Sequence, residues 1–198
     1  MSVLVTKPAP DFNASAVLAD GSMGSVKLSQ YKGKYVVLFF YPFDFTFVCP
    51  TEIIAFDRRI EEFEKRNTVV LGCSIDSPHS HWTWRQMKVK DGGIGEVRYP
   101  LIADVNKKIA REYDVLLDES MALRGSFLID REGIVQHQVV NNLPLGRNID
   151  EMLRMIDALQ FTEEHGEVCP AGWNEGKPGM KDSHEGVAEY LSKNARKL

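Results

Sequence analysis

Cysteine is scarce in this chain, and what there is does not come in pairs. Cys49, Cys73 and Cys169 are an odd set of 3 among 198 residues, with no C-x-x-C. That excludes a disulfide-stapled secreted scaffold and the adjacent-dithiol chemistry of C-x-x-C oxidoreductases. His79 and His81 supply no H-x-x-x-H, so the ligand pairs of a zinc site are lacking and no metal is expected. Long apolar runs are missing too. The stretch Tyr35 to Tyr41 falls far short of the about 20 residues that cross a bilayer, so no membrane partner is expected. Basic clusters are equally absent: Lys and Arg are interspersed with Asp and Glu at a net charge of −4, which argues against nucleic acid as a partner. No G-x-G-x-x-G opens a helix after a strand. Asp91-Gly92-Gly93-Ile94-Gly95 follows a helical segment and reads as a turn, and no organic cofactor is expected. The amino terminus lacks the basic region and apolar core of a signal peptide, so a cytoplasmic location is expected, where free thiols do redox or nucleophilic work.

What is present is an alternation of strands and helices. Tyr35 to Tyr41 and Thr68 to Ile75 are continuous apolar runs, the pattern of strands covered on both faces. Between them Ile53, Phe56, Ile60 and Phe63 recur at helical spacing, so residues 50–66 read as a helix and the three elements as a βαβ unit with parallel strands. Residues 1–34 read as a small hairpin around Asp20-Gly21. Asp76 to Lys90 and Lys107 to Tyr113 read as helices, and 124–130 with 133–140 as an antiparallel hairpin of two edge-side strands. Asn148 to Phe161 closes the core with Ile149, Met152, Leu153, Ile156 and Leu159 on one face. The order predicts an α/β protein with a thioredoxin-like fold: a central mixed sheet flanked by helices, an N-terminal hairpin extension and a C-terminal arm. The domain is expected over 1–165. Residues 166–198, rich in Gly, Pro, Asn and charge, form the arm that carries Cys169.

The chain is organised around Cys49. It sits where the Tyr35–Tyr41 strand gives way to the helix, with Pro50 suited to the first helical position, so Cys49 is expected near the N-cap. First-turn N–H groups and the helix dipole favour an anion there, and a thiolate nucleophile is expected rather than a small buried hydrophobe. Cys73, inside a strand, reads as inert. Attack on an O–O bond needs donors for the departing oxygen. Thr46 can supply a hydroxyl, although a turn threonine also bonds its local backbone. Arg124, a charge opening an apolar strand, is the candidate cation because such a charge needs a partner. Glu52, in the first helical turn, fits the dipole and could hold an arginine in place. Trp82, Trp84 and Trp173 read as packing or interface residues rather than a ligand cage. With no neighbouring sulfur, any disulfide of Cys49 must reach across space, and a sulfenic acid there would condense with a thiol brought by the Cys169 arm, from the same chain or a partner.

Pro42-x-x-x-Thr46-x-x-Cys49, within Phe45-Thr-Phe-Val-Cys-Pro-Thr-Glu52, together with Arg124-Gly-Ser-Phe-Leu-Ile-Asp130 and Gly166-Glu-Val-Cys-Pro-Ala-Gly-Trp-Asn174, resembles the typical two-cysteine peroxiredoxins. That group includes the bacterial alkyl hydroperoxide reductase C proteins and the thioredoxin peroxidases, and the likeness covers essentially the whole chain. It implies that Cys49 is the peroxidatic cysteine, that Pro42, Thr46 and Arg124 shape and polarise its pocket, and that Cys169 resolves it from the other protomer of a homodimer. It further implies hydrogen peroxide and small organic hydroperoxides as substrates, a thioredoxin-like or flavoprotein dithiol reductant as partner, and assembly into a decamer of five dimers. A redox-regulated holdase chaperone or peroxide-signal relay is the alternative role. In peroxide-sensitive relatives a Gly-Gly-Leu-Gly loop and a carboxy-terminal Tyr-Phe slow the opening of the active site. Gly92-Gly93-Ile94-Gly95 and Tyr190-Leu191 match these nearly, so intermediate sensitivity to over-oxidation is expected.

Overall fold

The computed structural model describes residues 3–197; Met1 and Ser2 of the amino-terminal segment and Leu198 lie outside the described residues. Two compact units divide the chain, Met1–Ile149 and Asp150–Leu198.

In the first unit, β1 (Asn13–Val17) and β2 (Met23–Lys27) form the hairpin read near the amino terminus. The Asp20 carboxylate holds its turn by accepting the Ser22 N–H and hydroxyl at 2.9 and 2.7 Å. β3 (Tyr35–Phe40) is buried at every residue and runs parallel to β4 (Thr68–Ser74). Their crossover contains two helices, α1 (Cys49–Arg58) and α2 (Ile60–Lys65), where the periodicity predicts one. The break has a visible cause. Arg98 Nη2 donates to the Asp57 carbonyl at 2.7 Å and takes an acceptor that would continue the helical ladder.

α3 (Pro78–Gln86) starts at Ser77, whose hydroxyl accepts the Ser80 N–H at 3.2 Å, and ends before the expected Lys90. β5 (Leu101–Ala103) pairs parallel with β4 and antiparallel with β1, so the hairpin joins the sheet. After α4 (Lys108–Glu112), the two-stranded ribbon of β6 (Leu116–Leu117) and β7 (Met121–Ala122) leads into β8 (Arg124–Ile129) and β9 (Val135–Asn141). The sheet order is β2-β1-β5-β4-β3-β8-β9. This is the expected central mixed sheet, with one correction: β8 is not an edge strand. It lies between β3 and β9 and is buried throughout, although Arg124, Gly125 and Ser126 give its first half a polar look.

The alternation of β3 feeds two layers. Val36, Leu38 and Phe40 point into a cluster with Leu71, Cys73, Phe127 and the α4 side chains Ile109 and Ala110. On the other face Phe39 stacks on Phe56 of α1 at 4.2 Å and meets Tyr99 edge-on at 5.8 Å. Each fully buried side chain of this size is worth about 1.5–3 kcal/mol, so these layers, rather than the short helices, carry the fold. Burial pushes the Cys73 thiol well above its ordinary range, as suits an inert core residue.

The second unit contains all but the first residue of α5 (Ile149–His165), which runs past the expected end at Phe161, and α6 (His184–Asn194), capped by the Ser183 hydroxyl on the Gly186 N–H at 3.0 Å. Between them Val168 and Met180 form an isolated antiparallel bridge, and the Trp173 ring packs on Phe161 at 4.8 Å. Among the described residues, no helix is long and apolar enough to cross a membrane.

Candidate active site

The turn Tyr41–Val48 delivers the chain from the end of β3 into α1, and Cys49 is the first residue of that helix. Val48 is the N-cap, with helical dihedrals (φ −86°, ψ −37°) and no side-chain cap, and Pro50 follows in the first turn. A good cap is worth about 1 kcal/mol, so this helix start is held by its surroundings rather than by its own end. Cys49 is 0% exposed.

The surroundings are charged. Arg124 Nη1 donates to Cys49 Sγ at 3.3 Å and to Glu52 Oε2 at 2.6 Å, while its Nε donates to the Leu143 carbonyl at 2.7 Å. A second arginine completes the cluster. Arg147 donates to Glu52 through its backbone N–H, Nε and Nη2 at 3.0, 2.9 and 2.9 Å, and to the Gly125 carbonyl through Nη1 at 2.9 Å. The side chains of Glu52, Arg124 and Arg147 are 2–4% exposed, so solvent does little to compensate their charges. Two guanidiniums against one carboxylate leave a single positive charge over, and it lies beside the Cys49 sulfur.

The expected residues divide accordingly. Cys49 and Arg124 meet in direct contact, and Glu52 holds the arginine as its first-turn position allows. Pro42 is buried and Thr46 half-buried on the turn that leads into Cys49. The Thr46 hydroxyl donates to the Phe43 carbonyl at 2.8 Å, the local bond typical of turn threonines. Cys169 belongs to the second unit, half-buried, its Sγ donating to the Ala158 carbonyl at 3.5 Å with Thr162 Oγ1 at 3.7 Å. All three cysteines are free thiols.

Two features escape a reading of the sequence. Arg147 stands in an irregular segment, so no periodicity marks it. Its signal lies in Glu52, which shares the stripe Cys49, Glu52, Ile53, Phe56 that α1 buries. A carboxylate on a buried stripe requires cations. The second is His81. Its imidazole is fully buried with Nδ1 2.8 Å from Asp44 Oδ2, and no group of metal-ligating side chains occurs among the described residues.

Comparison with known proteins agrees with this geometry. The family model described as AhpC/TSA family matches residues 5–138, and that of the C-terminal domain of 1-Cys peroxiredoxin matches residues 158–193. The chain is 58% identical over 198 residues to alkyl hydroperoxide reductase C of Helicobacter pylori strain J99, covering 99% of this chain and 100% of the relative. It is 54% identical over 190 residues to peroxiredoxin-2 of Macaca fascicularis, covering 96% of each. The crystal structure of reduced Plasmodium vivax 2-Cys peroxiredoxin superposes with a TM-score of 0.95 at 53% identity, covering 96% of this chain and 100% of that one. A buried cysteine at a helix start, a guanidinium on its sulfur, a thioredoxin-like sheet and this extent of likeness have one common reading: the chain belongs to the AhpC/TSA family of peroxiredoxins.

Proposed function

We propose that the chain is a thiol peroxidase that reduces hydrogen peroxide and small organic hydroperoxides, with Cys49 as the attacking sulfur. One observation carries the reading: a single Arg124 nitrogen touches both the buried Cys49 sulfur, at 3.3 Å, and Glu52, at 2.6 Å. A fixed cation is thereby held against the atom that loses electrons. The Cys49 thiolate attacks one peroxide oxygen, the S–O bond forms as the O–O bond breaks, and the departing oxygen takes a proton and leaves as water or alcohol. Charge moves from sulfur to that oxygen during the step, and Arg124 stabilises both ends without reorganising. Thr46, donating to Phe43, keeps its lone pairs for the hydroperoxide O–H. Pro42 contributes an apolar wall beside it. The complete burial of Cys49 restricts the site to small hydroperoxides.

The sulfenic acid then condenses with the Cys169 thiol of a second copy: an S–S bond forms and water leaves. A dithiol reductant, thioredoxin-like or a flavoprotein, takes up the disulfide and restores both thiols. The first turn of α1 must unwind for the sulfurs to meet, and its lack of a side-chain cap lowers the cost. The working unit is a homodimer, five of which assemble into a decamer, in the reducing cytoplasm. As written, the cycle needs no metal or organic cofactor. Family membership and the name alkyl hydroperoxide reductase C of a 58% identical relative support this reading.

The test is turnover coupled to thioredoxin and its reductase, alongside a non-reducing gel before and after peroxide. Cys49→Ser abolishes peroxide consumption, and Cys169→Ser abolishes peroxide-induced, reductant-sensitive dimers. Peroxide consumption that survives Cys49→Ser overturns the proposal.

A further inference from the structure

The turn that carries Pro42 and Thr46 is tied to the sheet by a buried polar cluster that the cycle above does not use. The Tyr41 hydroxyl donates to Asp44 Oδ1 at 2.9 Å. His81 Nδ1 lies 2.8 Å from Asp44 Oδ2 and 3.4 Å from the Tyr41 oxygen, and His81 Nε2 lies 3.2 Å from the Ile102 carbonyl. The Asp44 backbone N–H donates to Asp76 Oδ2 at 2.9 Å, and the same oxygen accepts the Ser74 hydroxyl at 2.6 Å. Tyr41, Ser74 and His81 are 0% exposed and Asp44 is 6% exposed.

The partners come from the ends of β3 and β4, from α3 and from β5, and they converge on one turn residue, Asp44. Polar groups buried this deeply are costly unless every one is matched, so the turn is locked while the cluster stays intact and loosened when a member is lost. The backbone shows what the lock holds. Phe45, next in the chain, sits at φ 56°, a left-handed conformation unfavourable for a bulky aromatic, with its half-exposed ring 5.5 Å from Trp84. Thr46 follows with its hydroxyl on the Phe43 carbonyl, so Asp44 lies inside the very turn that aims Thr46. Three residues later α1 begins without a side-chain cap.

Resting on the peroxidase reading, we propose that Asp44, with Tyr41, His81 and Asp76, is a latch on the reactive turn: it positions Thr46 and the first turn of α1 for attack on peroxide and sets how fast that segment opens toward Cys169. Asp44 is a positioning residue that acts through Thr46 and Cys49. The latch bears on the two chemical steps in opposite senses. Holding the turn favours S–O bond formation, whereas releasing it favours S–S bond formation, and a sulfenic acid that waits longer is exposed longer to a second peroxide. A merely structural cluster would depress both steps together.

The experiment uses Tyr41→Phe, which removes one hydroxyl and keeps the ring, and His81→Gln, in the full chain. Hydrogen exchange of residues 41–52 in the reduced protein comes first, because it needs no peroxide and so fails or succeeds independently of the peroxidase reading. Loss of one buried bond to a carboxylate is expected to raise opening of this segment by roughly tenfold or more. Stopped-flow single turnover then resolves the two steps. The expected result is a slower peroxide step, a faster disulfide step, and a correspondingly higher peroxide concentration at half over-oxidation. The proposal is overturned by exchange within twofold of the unmodified protein, or by both steps slowing in parallel with a falling Tm. If His81→Gln does not fold, Tyr41→Phe alone decides between these results.

Discussion

Replacing Glu52 by glutamine tests the charge cluster at its centre. The carboxylate accepts Arg124 Nη1 at 2.6 Å and the N–H, Nε and Nη2 of Arg147 at 3.0, 2.9 and 2.9 Å, so both of its oxygens serve guanidiniums. Glutamine is nearly isosteric but offers one acceptor oxygen and turns an NH2 group toward the remaining donors. At least one charge-assisted bond is lost, each worth about 1.5–3 kcal/mol, and the two buried guanidiniums lose the carboxylate they share. Removing one partner of a buried ion pair costs about 3–5 kcal/mol, and side chains only 2–4% exposed place this cluster in that regime. Urea denaturation is the assay. With a slope of about 1–3 kcal/mol/M, the loss appears as a fall in the midpoint on the order of 2 M at unchanged slope. Peroxide reduction should drop at least tenfold, since an Arg124 displaced enough to lose about 1.4 kcal/mol of transition-state contact costs that factor. A variant destabilised by less than about 1 kcal/mol, with an unchanged peroxide step, would refute the reasoning, because Glu52 would then not organise the arginines.

Burial, with the Asp44 charge second, raises the Asp76 carboxyl above its usual 3.8, so ionising it opposes folding. This stabilising contribution is complete below pH 3.8 and is lost as pH rises through the folded value. The Tm difference between Asp76→Asn and the unmodified protein should therefore shift in favour of the variant from pH 3.5 to pH 6, and a flat or opposite trend in thermal scans contradicts it. A Cβ at Gly125 would sit 2.7 Å from Val115 Cγ1, so Gly125→Ala should cost about 1–3 kcal/mol by overpacking; since the Gly125 carbonyl also accepts Arg147 Nη1, the peroxide step should slow too. An unchanged denaturation midpoint would show that the strand gives way freely. Leu191 in α6 is 43% exposed, and Leu191→Phe should lower the peroxide concentration at which activity is lost at fixed reductant; coincident titration curves would remove this helix from the control of over-oxidation.

Much of the fold was legible because it rests on periodic patterns. The continuous apolar runs of β3 and β4 and the hairpin at Asp20 are local signals that became the elements they predict, and the apolar stripe of residues 50–66 became helical, though as two helices rather than one. What was not legible depends on polar contacts between distant residues. α1 and α2 are separate helices because Arg98, 41 positions from Asp57, takes a backbone carbonyl. Arg147 finds Glu52 across 95 positions, and His81 finds Asp44 across 37. No period announces such a meeting.

A rule does bear on it, and it concerns partners rather than patterns. A charge in an apolar context cannot remain unmatched, and that reasoning singled out Arg124 at the head of β8. Applied equally to α1, it marks Glu52, because positions i, i+3, i+4 and i+7 from Cys49 form the buried stripe and Glu52 is the second of them. Two buried charges of opposite sign, one on each element, already imply a contact between the first turn of α1 and the start of β8. The helix start and the strand start then bring Cys49 and Arg124 together, which is the 3.3 Å contact observed. The same count shows what a second arginine adds: a single Arg–Glu pair presents a donor to the sulfur but carries no net charge. The cluster carries a net positive charge beside Cys49 when a second arginine joins the same carboxylate, and Arg147 is that residue.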